Sequence, residues 1–414
     1  MSGVTNNPDG KNQHKDCPSK GDLKSAELLR KYHDDGKTNR NVVSDLLRRD
    51  HGISMSSATV ARRWKDMGLA GSTATTRDMA PEVRRQHVAD ACAKDPAGRQ
   101  GPGSIRENIR LDSTVHLTVK CVREEMRVLN PGGFAARDPN SKKIHRTNLV
   151  SKGPHAEWSA DGHDKLKEAG YAIWGVRDKW SRKWIGLWVV PCNRTLEVIG
   201  YCYLAAILNE GGRPEQSTTD CGSETTLMYG LAMALACAND EGPVHQFLKS
   251  IRNITIERGW VSVKYNVIDN LRIWWDSGKH LVNRQNPHQN DLANWLWSRF
   301  IQASLDQFCI KMNSHAPRRI VDQLLPSAVS PNDAIEHYHE YNGEWSLQPI
   351  DLNVVRRLQE AIGGEQLIQF NTPEYRHIAQ GVFDSLNIGT VTGINIWVVY
   401  QEMLPRMLGL VEYV

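Results

Sequence analysis

Apolar positions recur at helical spacing through the first third of the chain and at strand spacing through its middle. Over about 22–34, Leu23, Leu28, Leu29 and Tyr32 mark one helix. Asp35-Gly36-Lys37-Thr38-Asn39 breaks it, and Val42, Val43, Leu46 and Leu47 carry a second helix over about 40–49. His51-Gly52-Ile53 is a turn. Ser56-Ser57 can N-cap a third helix running through Trp64 and Met67. A second set follows. One helix spans about 81–94, Gly101-Pro102-Gly103-Ser104 leads into Ile105–Arg110, and a last helix runs from Thr118 to Leu129 with Val119, Val122 and Met126 on one face.

The pattern then changes. Ala156–Asp161, Tyr171–Arg177 and Lys183–Val190 read as strands, the last two joined by a polar turn. Trp184, Gly186 and Trp188 share one face of the third strand, and Ile185, Leu187 and Val189 the other. Both faces are apolar, which predicts a sheet covered by helices, with the tryptophans as packing residues. Leu196–Asn209 is a helix ended by Gly211-Gly212, and Gln216–Thr219 is a short strand delivering Asp220. Leu227–Ala238 is a helix, 239–250 a mobile stretch, and 257–275 a long helix with Glu257, Val261, Lys264 and Ile268 along one stripe. Residues 280–325 are helical and Trp-rich. Residues 345–414 show mixed helical periodicity and no motif, as expected of a C-terminal addition for dimer or partner contacts.

Composition places the chain among ordinary globular proteins of several domains, with 40% hydrophobic and 24% charged residues in 414. No run approaches the roughly 20 apolar residues of a membrane span. The polar first twenty residues predict a disordered arm over 1–20 and no signal peptide, hence an intracellular protein. None of the eight cysteines forms a Cys-x-x-Cys pair, so reduced thiols are expected, without structural zinc or disulfides. The net charge of +4 is uneven. Residues 1–150 hold 27 Lys+Arg against 18 Asp+Glu (+9), and 151–414 hold 24 against 29 (−5). The positive third is also the trihelical third. Short Gly-containing turns followed by basic helices suggest helix-turn-helix-like units over 21–72 and 80–130, with a basic linker at 131–150. Thr59, Arg62, Arg63 and Lys65, and Lys120 and Arg123 in the second unit, are the candidate DNA contacts.

Three acids stand out in the middle: Asp161 in Trp158–Leu166, Asp220 in Ser217–Glu224, and Glu257 in Asn253–Trp260. Spacing alone decides little, because most carboxylates are solvated surface groups. Their flanks do more. The blocks Trp158…Asp161-Gly162-His163-Asp164-Lys165-Leu166, Gly175…Asp178…Ser181-Arg182-Lys183, Gly211-Gly212…Pro214…Thr219-Asp220-Cys221-Gly222-Ser223-Glu224 and Lys249-Ser250…Asn253…Ile256-Glu257-Arg258…Trp260 resemble, in this order, the integrase core of retroviral integrases and related transposases. The 36 residues between Asp220 and Glu257 (257 − 220 − 1) are close to the spacing of the D,D-35-E motif. Asn313-Ser314-His315…Arg318-Arg319 resembles the stretch that closes such cores. Gly259 departs from the pattern, which favours a bulky apolar residue there, and no His-His-Cys-Cys zinc module precedes the core.

The resemblance implies an α/β, RNase H-like catalytic core over 151–325, a mixed five-stranded sheet flanked by helices, with a C-terminal extension over 326–414. It implies metal-dependent DNA cleavage and strand transfer by Asp161, Asp220 and Glu257, which would hold two Mg²⁺ or Mn²⁺ ions as hard oxygen ligands. Lys249, Arg258 and Lys264 would contact DNA beside them. Asp164 and Glu224 are expected to be structural or to support the triad, and Asp178 to serve the hairpin turn. The implied partner is double-stranded DNA, both element ends and target, bound by a homo-oligomer in the nucleus, with no small-molecule substrate. The alternative is a domesticated, transposase-derived DNA-binding protein without transposition activity.

Overall fold

The computed structural model describes residues 17–129, 149–237, 240, 242–249, 253–320 and 323–411. Residues 1–16 of the expected arm and 131–148 of the expected linker lie outside them. The chain divides into two compact units, 1–139 and 140–414.

The first unit begins with helices α1 (Leu23–Asp34), α2 (Arg40–His51) and α3 (Ser57–Asp66). Local chemistry sets their ends. Asp22 caps α1 by accepting from the Ser25 N–H, at 2.8 Å, Asn39 caps α2, and Ser56 caps α3 by accepting from Thr59. Gly52 closes α2 at φ 64°, a left-handed conformation in which glycine is unstrained. Leu29, Val43, Leu47, Val60 and Trp64 form the shared core, and the Trp64 indole N–H donates to the Leu29 carbonyl at 3.2 Å. A short helix α4 (Ser72–Asp78), not expected from the sequence, buries no side chain. Helices α5 (Pro81–Ala93), α6 (Pro102–Ser113) and α7 (Val119–Leu129) enclose a second core of Val88, Ile105, Leu117, Val122 and Met126. Proline stands at the first position of α5 and of α6, where its missing N–H costs nothing.

The second unit is built on strands β1 (Glu157–His163), β2 (Ala172–Asp178), β3 (Trp184–Val190), β4 (Gln216–Asp220) and β5 (His245–Leu248). Their order is β3-β2-β1-β4-β5. The first three are antiparallel, while β4 and β5 run parallel to β1. This is the mixed five-stranded sheet of an RNase H-like core. Strand β5 falls within 239–250, the stretch expected to be mobile. Its four residues are too few for alternation to show in the sequence.

Each face of the sheet is covered by helices. Helices α8 (Leu196–Glu210) and α9 (Thr226–Ala234) cover one face, packing on Trp158, Ala160, Trp174 and Val176. The other face receives α10 (Ile254–Val263) and α12 (Pro287–Ser314), which pack on Ile173, Trp184, Leu187 and Val189. Between α10 and α11 (Asp269–Gly278) lies a π-helical turn, Lys264–Ile268, so the expected continuous helix over 257–275 is interrupted. Beyond α12 come α13 (Pro331–Glu336), α14 (Leu352–Ala361), α15 (Pro373–Ser385) and α16 (Ile396–Met407). Val355 of α14 joins the first apolar cluster. Tyr375, Ala379 and Val382 of α15 and Trp397, Tyr400 and Met403 of α16 join the second. The C-terminal residues therefore complete the core of this unit.

Strand β3 departs from the expected alternation. A bulge opposite Val176 and Arg177 places an extra residue between Trp184 and Gly186. A one-residue insertion flips every side chain beyond it. Trp184 consequently faces the same cluster as Leu187 and Val189, while Ile185 faces the other with Val190. β3 is also a sheet edge, with unpaired backbone groups. Side chains of α12 satisfy some of them. Asn313 accepts from the Trp184 N–H (2.8 Å) and donates to its carbonyl (2.9 Å), and Gln302 does the same to Val189 N–H (2.9 Å) and Leu187 carbonyl (2.8 Å). Asn313 opens the Asn-Ser-His stretch, so at least its first residue is an edge cap.

Candidate active site

Parity along β1 sets the site. Trp158 and Ala160 enter the core under α8, so Ser159 and Asp161 face α10 on the opposite side. Strand β4 lies parallel to β1 with Ser159 opposite Thr218, which brings Asp220, the last residue of β4, level with Asp161. Helix α10 crosses this face and presents Glu257 in its first turn, a position the helix dipole favours for an anion.

The three acids are electrostatically coupled. Burial is the largest influence on Asp161 and, with repulsion from Asp220 and Glu257, pushes its carboxyl up to about 7; hydrogen bonds from Trp260 and the Gly162 backbone pull the other way. Glu257 is shifted upward too, first by burial and then by Asp220. The carboxylates of the triad do not all lie within 4.8 Å of one another. Two ions about 3.5–4 Å apart do not require such a single tight trio, since the end carboxylates can each serve a different ion.

Neighbouring side chains fix the orientation of two acids. The Trp260 indole N–H donates to Asp161 Oδ2 at 3.0 Å, and His163 packs edge-on against Trp260 with ring centroids 4.8 Å apart. Asn253, the N-cap residue of α10, is 2% exposed and donates to Asp220 Oδ1 at 3.3 Å. Sequence reasoning noted both residues only as flanks of Glu257, since neither their burial nor their partners on other strands can be read from the sequence.

Glycine 259 has a physical reason. A Cβ there would stand 2.6 Å from Trp184 Cζ2 and 2.9 Å from Arg177 Nη1. Trp184 supplies from β3 the bulk that is missing from the helix. Arg177 lies in the same seam. Its guanidinium packs over Trp184 at 5.2 Å and donates to the carbonyls of Thr255 (3.0 Å) and Arg182 (2.9 Å).

The remaining acids of the motif blocks are engaged elsewhere. Arg194 pairs with Asp164 at 2.9 Å and with Glu224 at 2.7 Å, tying the end of β1 to the loop after β4. Asp178 is buried and accepts from Ser181 N–H (2.7 Å), Ser181 hydroxyl (2.6 Å) and His155 N–H (2.8 Å), as expected of a hairpin acid.

The cationic candidates divide. Lys249 and Arg258 are exposed, one following β5 and the other following Glu257. Lys264 is half-buried, within 3.4 Å of Asp269 and 4.9 Å above the Tyr265 ring, and its charge reaches His163. In the first unit Arg62, Lys65, Lys120 and Arg123 are exposed and Thr59 is half-buried against Ser56. Arg63 is a correction. It is 8% exposed, donating from Nη1 to Ser25 Oγ at 2.8 Å and from Nη2 to the Pro18 carbonyl, so it ties α3 to α1 and faces no groove.

No helix among the described residues is long and apolar enough to cross a membrane. A family model described as integrase core domain matches residues 150–339, and no curated protein matches the chain. That family is of the DDE integrase and transposase type: polynucleotidyl-transferase enzymes that use divalent metal and act on DNA.

Proposed function

We propose, on the premise that residues 150–339 match the integrase core domain family, that the chain cuts and joins DNA strands through Asp161, Asp220 and Glu257. The observation that carries the reading is the electrostatic coupling of these three acids across two strands and a helix. Carboxylates whose neighbours raise the proton affinity of Asp161 and Glu257 form a group short of positive charge. Its donors are hard oxygens, which fit Mg²⁺ or Mn²⁺ and offer Zn²⁺ none of its preferred nitrogen or sulfur ligands. The chemistry two such ions supply is activation of the attacking oxygen and stabilisation of the leaving one. Trp260 holds Asp161 at Oδ2 and Asn253 holds Asp220 at Oδ1, which fixes the orientation of both carboxylates. Lys249 and Arg258 flank the acids and hold phosphates of the DNA. The basic helical units, through Thr59, Arg62, Lys65, Lys120 and Arg123, bind element ends. The chain works in the nucleus as a homo-oligomer, which joining two ends requires.

The test compares the unmutated chain with Asp220→Asn on the same duplex ends in Mg²⁺ or Mn²⁺. The substitution removes one ligand's charge and nearly keeps its shape. Cleavage or strand transfer should appear with the first, vanish with the second, and leave DNA affinity equal. Equal cleavage by both would show that Asp220 is not catalytic. Tight DNA binding by both with cleavage by neither would favour the domesticated DNA-binding protein.

A further inference from the structure

We propose that Asn253 is a positioning residue that locks the three acid-bearing elements together and aims Asp220 at the ions. The inference rests on the triad reading above and concerns a side chain outside the triad. Asn253 is 2% exposed, and an amide that deeply buried must find partners for both ends. Its Oδ1 accepts from the Ser159 hydroxyl, on the strand of Asp161. Its Nδ2 donates to the Ala160 carbonyl of the same strand and to Asp220 Oδ1 on β4, each at 3.3 Å. Its backbone is the N-cap of α10, the helix that bears Glu257. One side chain thus spans β1, β4 and α10. The amide orientation is unambiguous, because Ala160 O and the Asp220 carboxylate can only accept, so the atom facing them must be the nitrogen. Aspartate could not replace it without setting a second anion against Asp220.

A residue that only orients a ligand should change how tightly metal is held rather than the chemistry once metal is bound. Groups behind a ligand typically change metal affinity about 10–100-fold. The experiment uses the full chain and Mn²⁺ as probe, with Mn²⁺ binding read by electron paramagnetic resonance and cleavage measured across a Mn²⁺ series. Asn253→Ala should weaken Mn²⁺ binding by about 10-fold or more, and its cleavage should recover at high Mn²⁺, which that of Asp220→Asn should not. Recovery separates positioning from loss of fold. Should Asn253→Ala fail to fold, Ser159→Ala unpins Oδ1 while leaving the Asp220 contact, and should weaken Mn²⁺ binding in the same direction. Unchanged Mn²⁺ binding in a folded variant overturns the proposal. A wild-type chain that binds no Mn²⁺ overturns the triad reading and this inference with it.

Discussion

At the scale of single residues, the site stores unfavourable charge. The folded-state pKa of Asp161, near 7, lies well above its ordinary 3.8. Such a group contributes most to stability when protonated, and that contribution is lost as pH rises through 7. Asp161→Asn, neutral at every pH and able to keep the Trp260 bond, should therefore raise the melting temperature of the metal-free chain at pH 8. The gain should shrink at pH 5, with a difference on the order of 2 kcal/mol between the two. Thermal melts at both pH values check this, and an equal gain at both would remove Asp161 from the coupled site. The three acids were legible as candidates in their flanks. The roles of Asn253 and Trp260 were not, because a side chain's partners a hundred residues away leave no local mark.

At the scale of elements, the seam between α10 and the β2–β3 hairpin decides where Glu257 sits. Gly259 lets α10 approach Trp184 closely. Gly259→Leu should force the helix outward, costing about 1–3 kcal/mol as overpacking does, and should weaken cleavage by moving Glu257. Denaturant unfolding measures the first effect and the Mn²⁺ assay the second. Trp184→Ala should cost about 3–5 kcal/mol on its own, and combining it with Gly259→Leu should cost less than the sum, since one removes the atoms the other meets. A strictly additive pair would deny the contact. The helices of the first unit were readable because caps such as Ser56 and breaks such as Gly52 act within four residues. The face assignment of β3 failed because its bulge is defined only against β2. The π turn at Lys264–Ile268 likewise broke a stripe that helical periodicity drew straight through.

At the scale of the whole molecule, charge is segregated. Residues 1–150 carry +9 and 151–414 carry −5. DNA affinity should accordingly reside mainly in a fragment spanning 20–150. It should fall with salt, each neutralised phosphate contributing about −0.9 to the slope of log K against log salt. Arg62→Ala and Lys65→Ala should each flatten that slope, whereas Arg63→Ala should lower the melting temperature of the fragment, because its guanidinium is spent on Ser25 of α1. A fragment that binds no DNA at low salt would place the affinity elsewhere. The C-terminal residues carry no motif because their task includes packing: Trp397 and Tyr400 lie in the same apolar cluster as Trp184 and Trp260.

The sequence by itself determined the helices of the first unit and their caps, the strands that bear Asp161 and Asp220, and, through flanking residues, which three acids are the candidates. Those features depend on neighbours a few residues apart or on chemistry carried in short blocks. Only the tertiary structure decided that Arg63 is an internal strut, that β5 pairs beside β4, that Trp184 stands in for the side chain missing at Gly259, and that Asn253 ties Asp220 to β1. Each of these depends on which distant segments meet, and contact across a sheet is set by the packing of the whole unit rather than by any stretch within it.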